Sequence, residues 1–273
     1  MKVTTSIPDI ARESSKVKLK NSIKIQGLSI AYDDLGDGKA VVFVHGACEN
    51  SLFWNHQKIL SDRLRIIALD LPGHGESETP SDLRQISIKF YSDVVSEFVE
   101  KVCPEKAVLV GHSMGGAVVL TSIIQSPQKV KGLVLVGTGA KLGVLPSIRE
   151  GIRFKFDETV KLVIGPRQFS SKTSLETIRF VTGEILKCNN GIALADYEAC
   201  NGFDVRPKLQ TISVPALVMV GEEDKMTPVT WSVYLKENIP KSSMVVLLDS
   251  SHVPMLERPA EFNRHLLEFA GAL

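Results

Sequence analysis

Residues 109–120, LVGHSMGGAVVL, set Ser113 between Gly111 and Gly115, where one apolar run ends and another begins. A serine in that setting is a candidate nucleophile. Gly-X-Ser-X-Gly between a strand and a helix makes a sharp turn that lifts the hydroxyl clear of the backbone. A Cβ at either glycine would crowd the neighbouring strand or helix, and Ser113 itself is expected in a strained conformation that packing must hold. The helix that begins at Met114 would aim its first N–H groups at the place where an oxyanion develops.

Such a hydroxyl is a poor nucleophile until a base takes its proton, so a histidine and an acid must lie in matching positions. The chain has six histidines. His252, in LLDSSHVPMLERP, follows the last strand-like run and precedes the last helical one. That puts it at the carboxyl edge of the sheet, where open α/β folds bind their ligands. His45 and His112 flank glycines and read as loop-holding groups, His74 sits in a tight turn, and His56 and His265 fall on helices. For the acid, Asp224 in LVMVGEEDKMTP leads three rivals. Glu222 and Glu223 fall in the turn itself, and Asp249 comes before the histidine loop.

The elements that must position these residues are written as alternation. AVVFVHG (40–46), LRIIALDL (64–71), AVLVGHS (107–113), VKGLVLVG (130–137), PALVMVGEED (215–224) and MVVLLDSSH (244–252) lack polar alternation. They read as strands buried on both faces of a parallel sheet. IKIQ and LSIAYDDLG read as an opening hairpin, and helical periodicity fills 86–102, 114–126, 229–238 and 256–269. From 140 to 207 the alternation stops, and amphipathic patches with scattered phenylalanines read as a helical insertion. The fold class expected is therefore α/β, a mostly parallel central sheet flanked by helices. Its parts are an N-terminal arm at 1–20, a core at 21–139 and 208–273, and a helical cap at 140–207.

The chain has 273 residues, 44% of them hydrophobic, enough for a sizeable buried core. Lys plus Arg number 32 against 31 for Asp plus Glu, which leaves no net field to draw in nucleic acid or a membrane surface. No run is long and apolar enough to span a bilayer. The four cysteines, Cys48, Cys103, Cys188 and Cys200, show no metal-type pair spacing, and no secretory segment precedes them, so a reducing, cytoplasmic setting is expected.

Five motifs, VFVHGA (42–47), DLPGHGES (70–77), GHSMGG (111–116), GEEDKMTP (221–228) and SHVPMLERP (251–259), stand in this order in the chain. Together they resemble the α/β-hydrolase superfamily, in particular its cap-bearing, carboxylesterase-like branch of serine hydrolases. The resemblance covers nearly all of residues 24 to 270. It implies that Ser113 attacks a carbonyl, that His252 acts as base and then acid, and that Asp224 orients the imidazolium. It also implies an oxyanion hole made by the backbone N–H groups of Ala47 and Met114. Cys48, next to that hole, is expected to be a small wall residue of the pocket rather than a redox group. Ser251 departs from relatives that often carry glycine before the histidine.

The activity this resemblance implies is hydrolysis of carboxylic esters of small to medium acyl chain through an acyl-serine, with an enol-lactonase or a carbon–carbon bond hydrolase of the same fold as the alternative. Relatives that cleave carbon–carbon bonds tend to place asparagine before the nucleophile and Gly-Pro-Gly in the oxyanion loop, whereas this chain has His112 and GACEN. A slow-turnover ligand receptor of the same fold is the reading from a different class. Substrate-contacting candidates are Met226, Val253, Phe154 and Phe169, while Arg149, Arg153, Arg167 and Arg179 read as a solvated cap face. The partner expected is a small-molecule ester, acting on a monomer or homodimer, with no metal or organic cofactor, because nucleophile, base and oxyanion donors all come from the chain.

Overall fold

The computed structural model describes residues 20–273. The arm read at 1–20 lies outside them except for Lys20, whose Nζ donates to Asp70 Oδ2 at 2.5 Å and to Ser51 Oγ at 2.6 Å.

The eight strands are β1 (Asn21–Ile25), β2 (Leu28–Leu35), β3 (Lys39–Val44), β4 (Leu64–Leu69), β5 (Ala107–His112), β6 (Val130–Val136), β7 (Ala216–Gly221) and β8 (Ser242–Leu247). They form one sheet in the order β1-β2-β4-β3-β5-β6-β7-β8. β1, β2 and β4 pair antiparallel, and every pairing from β4 through β3 to β8 is parallel. The opening hairpin turns at Gln26 and Gly27, both with positive φ, as a two-residue loop between twisted strands requires.

The apolar strands split their side chains between two cores because successive residues point to opposite faces. Val42 and Val44 pack with Tyr91, Phe98 and Val118 from α1 (Ile88–Val102) and α2 (Met114–Gln125). Val41 and Phe43 pack with Trp54 of the 3₁₀ segment Ser51–Asp62 and with Phe262 on the opposite face. The α1 helix shows why such a segment is helical. Ser87 caps it by accepting from Phe90 N at 3.1 Å, and Ile88, Tyr91, Val95 and Phe98 recur at helical spacing on its buried face. A side chain such as Phe98, removed wholly from water, contributes about 1.5–3 kcal/mol.

Between β6 and β7 the chain leaves the sheet and forms α3 (Pro146–Phe154), α4 (Phe156–Thr159), α5 (Gly165–Gln168), α6 (Leu175–Ile185) and α7 (Asn190–Asn201). The stem of this excursion is a bridge between Lys141 and Asp204. After β7 come α8 (Val229–Asn238), then α9 (Pro254–Glu257) and α10 (Pro259–Gly271) beyond β8. Two expectations need correction here. MVVLLDSSH was read as a strand buried on both faces, but β8 has only β7 beside it and leaves Val246 and Leu248 exposed at the edge. The last helical segment is broken at Arg258, because the residue before a proline is pushed out of the helical region, and α10 starts at Pro259.

The cap is held down by a buried carboxylate. Asp196 on α7 accepts from Cys48 N at 3.0 Å, His74 Nε2 at 2.8 Å and Tyr91 Oη at 2.7 Å, all three from the core. His74 Nδ1 donates in turn to the Pro72 carbonyl at 3.2 Å, so both ring nitrogens face acceptors. Burial works to lower the His74 pKa, but the Asp196 charge and hydrogen bond carry it well above its ordinary value. No helix among the described residues is long and apolar enough to cross a membrane.

Removing one partner of a buried ion pair leaves the other uncompensated, so Asp196→Ala should cost about 3–5 kcal/mol in urea unfolding. Because His74 is raised when folded, the contribution is fully present below the ordinary imidazole pKa. It fades as pH climbs through the raised value, and the gap between the two proteins should narrow there. A gap under about 1 kcal/mol at pH 6 would show that Asp196 does not anchor the cap.

Candidate active site

The carboxyl ends of β3, β5, β7 and β8 deliver the candidate residues. Ser113 follows β5 directly and has φ 50 and ψ −114, a left-handed conformation that costs a non-glycine residue on the order of 1–3 kcal/mol. Its backbone is pinned from several sides. Ser113 N donates to Val136 O at 2.9 Å, and its carbonyl accepts from Thr138 Oγ1 at 2.8 Å and Gly116 N at 3.0 Å. The flanking glycines are required by contact: a Cβ on Gly111 would lie 2.3 Å from Gly115 O, and one on Gly115 would lie 2.2 Å from Val44 O. Met114 is the first residue of α2, so its N–H has no acceptor within the helix and faces outward from the helix end.

His252 lies in the loop after β8, with Nδ1 3.0 Å from Asp224 Oδ2. Asp224 is fixed in turn by its own loop after β7. Its Oδ1 accepts from Met226 N and Thr227 N, each at 2.8 Å, and Oδ2 accepts from Thr227 Oγ1 at 2.8 Å. Among the rivals, Glu223 holds Ser171, and Glu222 and Asp249 are exposed. Burial pushes the Asp224 carboxyl up, and the His252 charge with these hydrogen bonds brings it below its ordinary value. Burial likewise pulls His252 down, and Asp224 raises it above the ordinary imidazole value.

Three buried histidines meet buried carboxylates, and hydrogen bonding tells them apart. His74 spends both nitrogens on Asp196 and Pro72 O. His112 spends Nδ1 on Glu49 Oε2 at 2.9 Å and Nε2 on the His252 carbonyl at 2.8 Å. His45 donates to Gly46 O through Nδ1 and accepts from Leu71 N at Nε2 3.0 Å away, and burial first, with His74 second, lowers its pKa to about 4. On His252, Nδ1 is committed to Asp224, and Nε2 makes no hydrogen bond among the described residues. Of the four buried rings, that one alone keeps a nitrogen for a hydroxyl.

Ser113, His252 and Ala47 line one cavity of about 70 Å³, together with Glu49, Gln168 and Met226. Of the substrate-contacting candidates, only Met226 lines it. Val253 is buried beside the histidine, and Phe169, itself in the cap, is buried in the hydrophobic core. Phe154 needs correction: it is 76% exposed on α3, because the apolar face of that helix is carried by Ile148 and Ile152 instead. Cys48 also needs correction. It is buried and lines not the Ser113 cavity but a second one, shared with His74 and Cys188. Of the cap arginines, Arg149 pairs with Glu198 at 2.9 Å and Arg167 holds the Val163 carbonyl.

Sequence reasoning missed Glu49 and Glu257. Glu49 Oε2 accepts from Gly46 N at 2.7 Å as well as from His112, bracing the loop that carries Ala47. Glu257 accepts from Ser251 N at 2.7 Å and Ser170 N at 3.0 Å, so it ties the histidine loop to the cap. The Ser251 hydroxyl donates to Glu223 O at 3.0 Å, which joins the acid and histidine loops where glycine could not. Glu49 stands in the quoted GACEN stretch, and an acid that close to a strand-end His-Gly pair was the available signal.

A model of the alpha/beta hydrolase family matches residues 41–265, which runs from within β3 to within α10 and includes every residue just described. The chain belongs to the alpha/beta hydrolase family. It is similar to a pimeloyl-[acyl-carrier protein] methyl ester esterase of Nitrosospira multiformis, 26% identical over 89% of this chain and 98% of the relative. It is also similar to 3-oxoadipate enol-lactonase 2 of Acinetobacter baylyi, 27% identical over 91% of this chain and 95% of the relative. Among solved structures, a thermophilic esterase superposes with a TM-score of 0.83 at 33% identity, covering 93% of this chain and 97% of that one.

The opposed influences on His252 can be separated. In Asp224→Asn the raising charge is gone and burial remains, so the His252 ring should titrate below the ordinary imidazole value instead of above it. Proton NMR of the histidine Hε1 signals reads this directly. An unchanged midpoint would show that Asp224 does not control His252.

Proposed function

We propose that this protein is a serine hydrolase of carboxylic esters with short to medium acyl chains, acting through an acyl-serine. The observation that carries the reading is the Asp224–His252 pair, its Nε2 uncommitted, in one cavity with a serine held at a strained strand-to-helix turn. His252 Nε2 takes the Ser113 proton as the hydroxyl oxygen attacks the ester carbonyl. The imidazolium so formed is stabilised by Asp224, and the negative oxygen meets the backbone N–H groups of Met114 and Ala47. His252 then hands its proton to the leaving alkoxide. Water repeats the sequence on the acyl-serine and frees the acid. Nucleophile, base and oxyanion donors are all supplied by the chain, and the partner is a small-molecule ester.

The size of the cavity supports short acyl groups. At about 70 Å³ it holds roughly two waters' worth of space. The likeness to an esterase over most of both chains supports ester cleavage, and the enol-lactonase relative keeps a cyclic ester as the second reading.

Release of nitrophenol from nitrophenyl esters of two to sixteen carbons tests both. Turnover should peak at the short end and fall steadily with length. Ser113→Ala should lose about 10⁴-fold or more. Because the base must be neutral and His252 is raised, kcat/KM should climb with pH through a midpoint above the ordinary imidazole value. No turnover at any length by folded protein, with opening of an enol-lactone, would move the assignment to the second reading.

A further inference from the structure

The second cavity, about 320 Å³, shares only Glu49 with the cavity that holds Ser113. Two thiols meet there. Cys48 lies in the turn of that loop, next to Ala47, and Cys188 lies in the turn between α6 and α7 of the cap. Their side chains line this cavity together with the His74 ring, near enough to act on each other's ionisation, and the Cys188 thiol donates to the Asn189 carbonyl at 3.6 Å. Cys48 is buried, whereas Cys188 is half-buried and opens onto the cavity, whose rim carries Lys20 and Lys187.

This arrangement divides the labour between the two sulfurs. A cysteine reacts as its thiolate, which needs cationic or hydrogen-bonding neighbours and access to the attacking molecule. Contact with the Cys48 thiol lowers the Cys188 pKa, against burial, and the His74 imidazolium adds to that. Cys48 is pushed up, first by Cys188 and then by burial, and stays a protonated donor. Cys103 and Cys200, both buried, are raised chiefly by burial, Cys103 to about 11 and Cys200 well above its ordinary value, and neither lines this cavity.

We infer that Cys188 and Cys48 form a peroxide-reactive thiol pair, in which Cys188 is attacked first and Cys48 resolves it to a disulfide that staples the cap to the oxyanion loop. The Cys188 thiol gives its proton to solvent, and its thiolate attacks one oxygen of hydrogen peroxide; an S–O bond forms, the O–O bond breaks, and hydroxide leaves and takes up from solvent the proton that the thiol released, becoming water. The Cys48 sulfur then attacks the Cys188 sulfenic acid. An S–S bond forms, the S–O bond breaks, and the departing hydroxyl leaves as water with the Cys48 proton. Both sulfurs are oxidised by one electron each, and hydrogen peroxide is reduced to water. A disulfide needs its sulfurs at about 2.05 Å, so the two thiols on this cavity must move together to close it. Cys188 sits in a turn rather than a helix, which leaves that movement to a segment outside regular structure.

The test is peptide mass mapping of the full-length protein after brief treatment with hydrogen peroxide, with free thiols alkylated. The expected product is a peptide joining Cys48 to Cys188, lighter by two hydrogens and opened by dithiothreitol, while Cys103 and Cys200 remain alkylatable after unfolding. In Cys188→Ser the linked peptide should vanish and Cys48 should stay reduced. In Cys48→Ala, Cys188 should stop at a sulfenic acid that dimedone traps. Oxidation of Cys103 or Cys200 at the same rate as Cys188, or Cys188 overoxidised with Cys48 still free in the wild type, would overturn the proposal. These readouts do not depend on ester turnover. If the ester reading holds, the oxidised protein should also lose several-fold in turnover and recover it with dithiothreitol.

Discussion

The structure depends on one tight place, the turn at Ser113 between β5 and α2. The serine can hold φ 50 only because Gly111 and Gly115 let α2 start against the end of β5 and under the carbonyl of Val44. That contact sets how closely β3 and β5 lie at their carboxyl ends. It thereby brings the loop after β3, with Ala47, to the same side as the start of α2. Strain of this kind persists only where the surroundings over-determine it, and here β3, β6 and α2 all press on one residue.

Around that turn the protein repeats one chemical device three times, a buried carboxylate against a buried imidazole. Asp196 with His74 fastens the cap, Glu49 with His112 braces the loop that carries Ala47, and Asp224 with His252 holds the ring proposed as the base. The residue types are the same and the outcomes differ because of the second ring nitrogen. A carbonyl closes it in His74 and in His112, which makes those rings fixed struts. In His252 it is open toward the serine cavity. The proposed base is thus separated from the two struts by one hydrogen bond.

Much of this was legible before folding. The doubly buried strands, the elbow and the order of Ser113, Asp224 and His252 are local patterns, set by side-chain period and by glycine at a turn. The loop-holding roles of His45 and His112 also agreed with their places beside strand-end glycines. Phe154 and Cys48 were misjudged for a common reason. Their types suit a pocket wall, but a helix has two faces and a turn has two sides, and which one meets the cavity depends on how the cap is seated.

The sequence by itself determined the sheet, its mostly parallel character and the sites where chemistry could reside, because these follow from periodicity within a few residues. Only the tertiary structure decided which acid among four reaches His252 and which histidine keeps a free nitrogen. It also decided that Cys48 meets Cys188 across 140 positions of chain, as the numbering gives. Those outcomes are hydrogen bonds between residues far apart in sequence, and no local pattern encodes the packing that closes the distance.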